Sequence, residues 1–166
     1  MKQEVLRVVS FYALIIFVAL LDQGVKLGIR TFLSLNQSIT VIPGVLSFTY
    51  VENPGAAFGM LKRMTPLLLL LTLALFYLVY RYRWQIKKQP PVFRCGMAVG
   101  LGGALGNFID RILRGRVIDF LDLDFWPLQN WPVFNLADIA IFLGAVIIFF
   151  LLFRDQPLAH SRKGEV

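Results

Sequence analysis

Two aspartates, Asp119 and Asp138, flank the connection between two hydrophobic runs of this chain. Two carboxylates held close cannot both ionise readily, so they share a proton. One can then take a proton from water while the other donates to a scissile carbonyl, which is the chemistry of an aspartyl dyad hydrolysing a peptide bond. Residues 135–153 have the pattern of a helix, and its dipole favours charge on Asp138, leaving Asp119 as the proton carrier of a pair that titrates as a unit. A structural reading stands beside the catalytic one. Asn135 and Asp138 have the spacing of a capping box, and Asp119 has the setting of a solvated loop acid like Asp122 and Asp124.

Other polar residues punctuate apolar sequence. Asp110-Arg111, with Asn107 one turn earlier, reads as a hydrogen-bonded structural pair ending a helix; its functional use would be to set the floor of a site. Asp22 and Lys26 are four apart, share a helix face and form an orienting ion pair. Asn53 either binds substrate or stabilises its own Asn53-Pro54-Gly55 turn. Other chemistries lack their residues. The one histidine, His160, is in the polar tail, and the one cysteine, Cys95, can form neither an internal disulfide nor a thiolate zinc cluster. The Gly100–Gly106 run matches neither a Walker loop nor G-x-G-x-x-G. No G-x-S-x-G elbow is present, and the glycine-x-glycine-aspartate signature of another aspartyl intramembrane class is missing.

The elements that must position these groups follow from hydropathy. Of 166 residues, 57% are hydrophobic and 16% charged, against about one quarter charged in soluble domains. A single integral membrane domain, residues 1–166, is expected, mainly α-helical, with four transmembrane helices at about 8–29, 64–80, 92–112 and 135–153. Gly96 with Gly100, and Gly102 with Gly106, have the small-x-x-x-small spacing that lets helix backbones approach. Residues 31–50 are rich in β-branched and aromatic types around Pro43-Gly44, predicting a small sheet or hairpin on the membrane surface. Glu52-Asn53-Pro54-Gly55 reads as a turn, and Ala56–Lys62 as a short interfacial helix able to cover the site; sheet and cover together occupy about 31–63. Asn36-Gln37-Ser38 fits a glycosylation acceptor.

Basic residues set the orientation. Lys2, Arg7, Arg81, Arg83, Lys87, Lys88, Arg94, Arg154, Arg162 and Lys163 fall at the termini and in the central loop. Fewer, Arg30, Lys62, Arg63, Arg111, Arg114 and Arg116, fall opposite. Both termini are thus expected in the cytoplasm and the aspartates outside. The net charge of +7 reflects this topology, so no nucleic-acid partner is expected. Trp126 and Trp131 suit a membrane–water interface.

Taken in order, Asp22 with Lys26, Asn53-Pro54-Gly55-Ala56-Ala57-Phe58, Gly102-Gly103-Ala104-x-Gly106-Asn107-x-x-Asp110-Arg111, Val117-x-Asp119-Phe120 and Phe134-Asn135-x-Ala137-Asp138 resemble the bacterial lipoprotein signal peptidases, or signal peptidase II. The resemblance spans nearly the whole chain. It implies a four-helix enzyme of the bacterial cytoplasmic (inner) membrane with an extracytoplasmic sheet. Asp119 and Asp138 would be the catalytic pair; Asn53, Gly55, Asn107, Asp110, Arg111, Asn135, Asp22 and Lys26 would line or brace the site. The implied substrates are diacylglyceryl-modified prolipoproteins cut before the lipidated cysteine. The resemblance also implies no metal or organic cofactor and inhibition by the cyclic peptide globomycin; apart from it, membrane lipid is an expected partner and the chain is expected to be a monomer. Two other classes remain open on the residues alone. A small transporter would place charge near mid-span, and an assembly factor would use the glycine faces; neither needs both aspartates for peptide cleavage.

Overall fold

The computed structural model describes residues 2–55, 64–129 and 131–154. The expected interfacial helix at Ala56–Lys62 and the polar tail with His160, Arg162 and Lys163 lie outside the described residues.

Helix α1 runs from Lys2 to Phe32, α2 from Thr65 to Arg81, the single-turn α3 from Arg83 to Lys87, α4 from Pro91 to Arg114 and α5 from Leu136 to Arg154. Three of them, over Leu6–Phe32, Pro91–Arg114 and Leu136–Arg154, are long and apolar enough to cross a membrane. The fourth expected span is α2, a shorter apolar helix of 17 residues, or about 25 Å at 1.5 Å per residue. The helix surfaces expose large apolar side chains such as Phe17, Leu20, Leu70, Phe142 and Phe149, as a lipid-facing surface would.

Helix α4 is the centre of the bundle, with α1 on one side and α5 on the other. Its glycines make this possible. A Cβ on Gly102 would meet the Val18 side chain of α1 at 2.6 Å, and one on Gly144 of α5 would meet the Gly96 carbonyl at 2.6 Å and the Gly100 Cα at 2.8 Å. Such overpacking costs roughly 1–3 kcal/mol. Gly144→Val is therefore expected to lower the thermal unfolding midpoint in detergent, whereas Gly24→Ala, whose Cβ would have nothing within 4 Å, should be neutral or stabilising.

The expected hairpin is present as β1, Ser38–Ile42, and β2, Leu46–Asn53, joined through the Pro43-Gly44 turn. Strand β2 runs further than expected, taking in Glu52 and Asn53, so the turn begins only at Pro54. A third strand, β3 (Val117–Leu123), pairs antiparallel with β2, giving the order β1-β2-β3. This corrects the reading of Asp119 as a solvated loop acid. It lies on β3 opposite Val51 and is 3% exposed. Beneath the sheet, Ile29 and Leu33 of α1 pack with Tyr50, Ile118 and Phe120. Burial of these side chains, roughly 1.5–3 kcal/mol each for the aliphatic and phenyl groups, ties the sheet to the end of α1.

Two further connections set the position of the aspartates. Helix α4 ends where Gly115 takes a left-handed conformation, φ +70°, with its N–H donating to the Arg111 carbonyl at 3.0 Å, and the chain turns directly into β3. After β3 it returns, so that Phe134 N–H donates to Leu121 O at 3.1 Å and Phe134 O accepts from Phe120 and Leu121 N–H at 2.9 and 2.8 Å. Asn135 and the start of α5 are thereby delivered beside Asp119. Trp126 and Trp131, in this return, are exposed.

Candidate active site

Five separate elements converge at the end of the bundle next to the sheet. The innermost layer is a buried charge cluster. Asp22 and Lys26 of α1 and Asp110 of α4 are each 0% exposed. The Lys26 ammonium donates to Asp22 Oδ2 at 2.7 Å, Asp110 Oδ2 at 2.8 Å and Asn107 Oδ1 at 3.0 Å, which uses all three of its protons. Asp22 Oδ1 accepts the Ala137 N–H at 3.0 Å, an otherwise orphaned donor in the first turn of α5. Asp110 accepts from Gln23 at 3.2 Å, from the Ile118 N–H at 3.3 Å and from Arg114. Two carboxylates thus face two cations, and the cluster bolts α1, α4, α5 and β3 together.

The expected Asp110–Arg111 pair does not form as such. Adjacent helix residues point about 100° apart, so Asp110 turns inward to Lys26 and Arg114. Arg111 turns toward the chain just after β2, where it donates to the Gly55 carbonyl at 3.3 Å. Sequence reasoning missed Arg114 and Gln23. Arg114 carried a usable signal, since it lies four residues after Asp110 on the same helix face.

The outer layer is built from three asparagines, and each amide is oriented by what its oxygen accepts. Asn107 Oδ1 takes the Lys26 proton, so its Nδ2 donates to Asp138 Oδ1 at 2.8 Å. Asn53 Oδ1 takes the Gly55 N–H at 2.9 Å, so its Nδ2 donates to Asp119 Oδ2 at 2.9 Å. Asn135 Oδ1 takes the Asp138 N–H at 2.9 Å, so its Nδ2 donates to Asp119 Oδ1 at 2.6 Å. The expected capping box is complete, because the Asn135 N–H donates to Asp138 Oδ2 at 3.2 Å. Structural and site geometry coincide here: the contacts that start α5 also connect Asp138, through Asn135, to Asp119.

The two aspartates differ in environment. Burial pushes the Asp119 carboxyl up to about 7, and the charge of Asp138 adds to this; the Asn53 and Asn135 hydrogen bonds and the Lys26 charge oppose it. Asp138 is partly exposed in the first turn of α5. Each oxygen of Asp119 receives one amide donor and keeps another lone pair. A protonated Asp119 can therefore hold both asparagines and still donate its own proton. All the expected site residues, Asp119, Asp138, Asn53, Gly55, Asn107, Asp110, Arg111, Asn135, Asp22 and Lys26, fall in this one network. Among the described residues, no group of three or more His, Cys, Asp or Glu is arranged to hold a metal ion.

Residues 14–154 match the family model described as signal peptidase (SPase) II. The lipoprotein signal peptidase of Moorella thermoacetica is 43% identical over 83% of this chain and 89% of that one. That of Pelotomaculum thermopropionicum is 38% identical over 92% of this chain and 97% of its own. Two solved structures described as bacterial membrane enzymes superimpose with TM-scores of 0.80 and 0.76, at 29% and 30% identity. The first covers 95% of this chain and 94% of its own, the second 89% and 94%. With a match across most of its length, the chain belongs to the signal peptidase II family and is an aspartyl protease.

Proposed function

We propose that this protein removes the signal peptide from diacylglyceryl-modified prolipoproteins, cutting before the lipidated cysteine, with Asp119 and Asp138 as the catalytic pair. The observation that carries the reading is that two aspartates from different elements share one asparagine clamp, one buried and one partly exposed. In the reaction Asp138, ionised, takes a proton from water, and the resulting hydroxide adds to the scissile carbonyl. Asp119 gives its proton to the carbonyl oxygen. Collapse of the tetrahedral intermediate then sends a proton from Asp138 to the leaving amine and returns the oxygen's proton to Asp119. Asp22, Lys26 and Asp110 hold Asn107 in place, and Arg111 with Gly55 positions the substrate backbone.

The topology proposed with this reaction has four spans, α2 crossing with the help of its flanking residues, as one domain over 1–166. Both termini face the cytoplasm, in the bacterial inner membrane, and the aspartates face outward. On the same family reading the enzyme acts without a cofactor and binds globomycin; in lipid it is proposed to act as a monomer.

The test is incubation of purified protein with a diacylglyceryl-modified prolipoprotein and, in parallel, the unmodified precursor. Cleavage before the cysteine of the first only is expected; cleavage of neither, without regard to added metal, would sink the proposal. The rate should also fall on the alkaline side. Catalysis needs Asp119 protonated, and its carboxyl sits at about 7, so kcat should drop about tenfold per pH unit above that value. A rate still rising to pH 9 would assign the proton to another group.

A further inference from the structure

At the opposite end of the bundle, two cavities meet at a pair of arginines. One, of about 550 Å³, lies between the first turns of α1, the end of α2 and α3. The other, of about 290 Å³, runs between α1 and α4 past Leu6, Leu14 and Ala98. Arg7 and Arg94 line both. Five cations, Arg7, Arg83, Lys87, Lys88 and Arg94, surround the larger cavity against one carboxylate, Glu4. None of the five is in an ion pair among the described residues. Arg83 and Lys87 lie against the faces of Tyr80 and Trp84, with 4.3 Å from Arg83 to the Tyr80 centroid and 4.1 Å from Lys87 to that of Trp84. The Arg94 Nε is buried and lacks a hydrogen-bond partner among the described residues, a costly state for a charged group.

We propose that this end of the bundle is a binding site for one anionic phospholipid. Its phosphate sits between Arg7 and Arg94, and its acyl chains occupy the two apolar grooves on either side. The charge imbalance selects an anion, and the orphaned guanidinium nitrogen supplies a donor for a phosphate oxygen. Val8, Phe11 and Val79 in one groove and Leu14 and Ala98 in the other supply the apolar walls. A soluble phosphate would satisfy the arginines but leave both grooves unfilled. The inference rests on the topology proposed above, which puts these basic residues at the cytoplasmic leaflet, where anionic lipid attracts Lys and Arg.

Native mass spectrometry of the full chain in non-ionic detergent tests this. Phosphatidylglycerol is expected to be retained at about tenfold lower concentration than phosphatidylcholine with the same acyl chains. Arg7→Gln with Arg94→Gln should abolish that preference. Arg81→Gln, which removes a charge at the same end but outside both cavities, should leave it intact. Equal retention of the two lipids, or an unchanged preference in the double variant, would overturn the site; displacement by soluble glycerophosphoglycerol at equal concentration would overturn the lipid in favour of a free phosphate. Should the double variant fail to fold, the wild type still decides. Phosphatidylglycerol carrying a photoreactive acyl chain should label Leu14 or Ala98, and labelling spread over the outer faces of α2 and α5 would refute the assignment. Binding is read without cleavage, so failure here leaves the proposed reaction standing.

Discussion

Asp119→Asn and Asp138→Asn are each expected to lower kcat on a lipidated prolipoprotein by about 10²–10⁴-fold, the usual worth of a positioned acid or base, with KM little changed. The asparagine side chain is nearly the size of aspartate but neither accepts a proton from water nor passes one to a carbonyl. Its effect on the surroundings is less neutral than its size implies. Both oxygens of Asp119 receive pinned amide donors, from Asn53 and Asn135. The new amide nitrogen in Asp119→Asn must therefore face one of those donors with another. The same holds in Asp138→Asn, between the Asn107 amide and the Asn135 N–H. Each variant should thus also lose roughly 1–3 kcal/mol of stability, and the rates must be compared at a temperature where both remain folded. If a folded variant keeps substantial activity, that aspartate is structural and Asp110 becomes the next candidate.

Lys26→Met should produce the largest loss of stability, about 3–5 kcal/mol. Among the described residues, its ammonium is the one group touching Asp22, Asp110 and Asn107 together. Without it, Asp22 and Asp110 remain buried with only Arg114 to balance them. Thermal or denaturant unfolding in detergent measures the effect, and a loss below about 1 kcal/mol would show that water or rearrangement replaces the cation. Lys26→Met combined with Asp22→Leu should be less destabilised than Lys26→Met alone, because the second change removes the stranded charge. Any folded Lys26→Met protein should also cleave more slowly, since Asn107 Oδ1 loses its charged donor and keeps the Asn135 amide at 3.2 Å to turn its own amide toward Asp138.

Hydropathy made α1, α4 and α5 legible, because a long apolar run needs no partner to be recognised as a helix. The hairpin was legible from its β-branched residues and Pro43-Gly44. Strand β3 was not. Its partner β2 lies some 70 residues earlier in the chain, and a pairing so distant leaves no local periodicity. The acids in Val117-Ile118-Asp119-Phe120-Leu121-Asp122-Leu123 make it read as a loop. Asp119, Asp138 and the three asparagines stood out as polar residues in or beside apolar sequence, and the structure brings them into one network. The partners of Asp110 were misread for a geometric reason: neighbours in sequence are not neighbours on a helix surface, whereas Arg114, one turn on, is.

Two of the pinned asparagines, Asn107 and Asn135, also stand between the inner charges and the aspartate pair. An amide N–H holds its proton at neutral pH, and among the described residues the side-chain contacts from Lys26 toward the aspartate pair run through Asn107 or Asn135. Among the described residues, Lys26 reaches Asp138 through Asn107, and both Asn107 and the Asp110–Ile118 contact reach Asp119 through Asn135. In the proposed reaction the inner charges therefore act on the pair through neutral amides and through their field. Asp138, the partly exposed member of the pair, is the one that meets the attacking water in that proposed reaction.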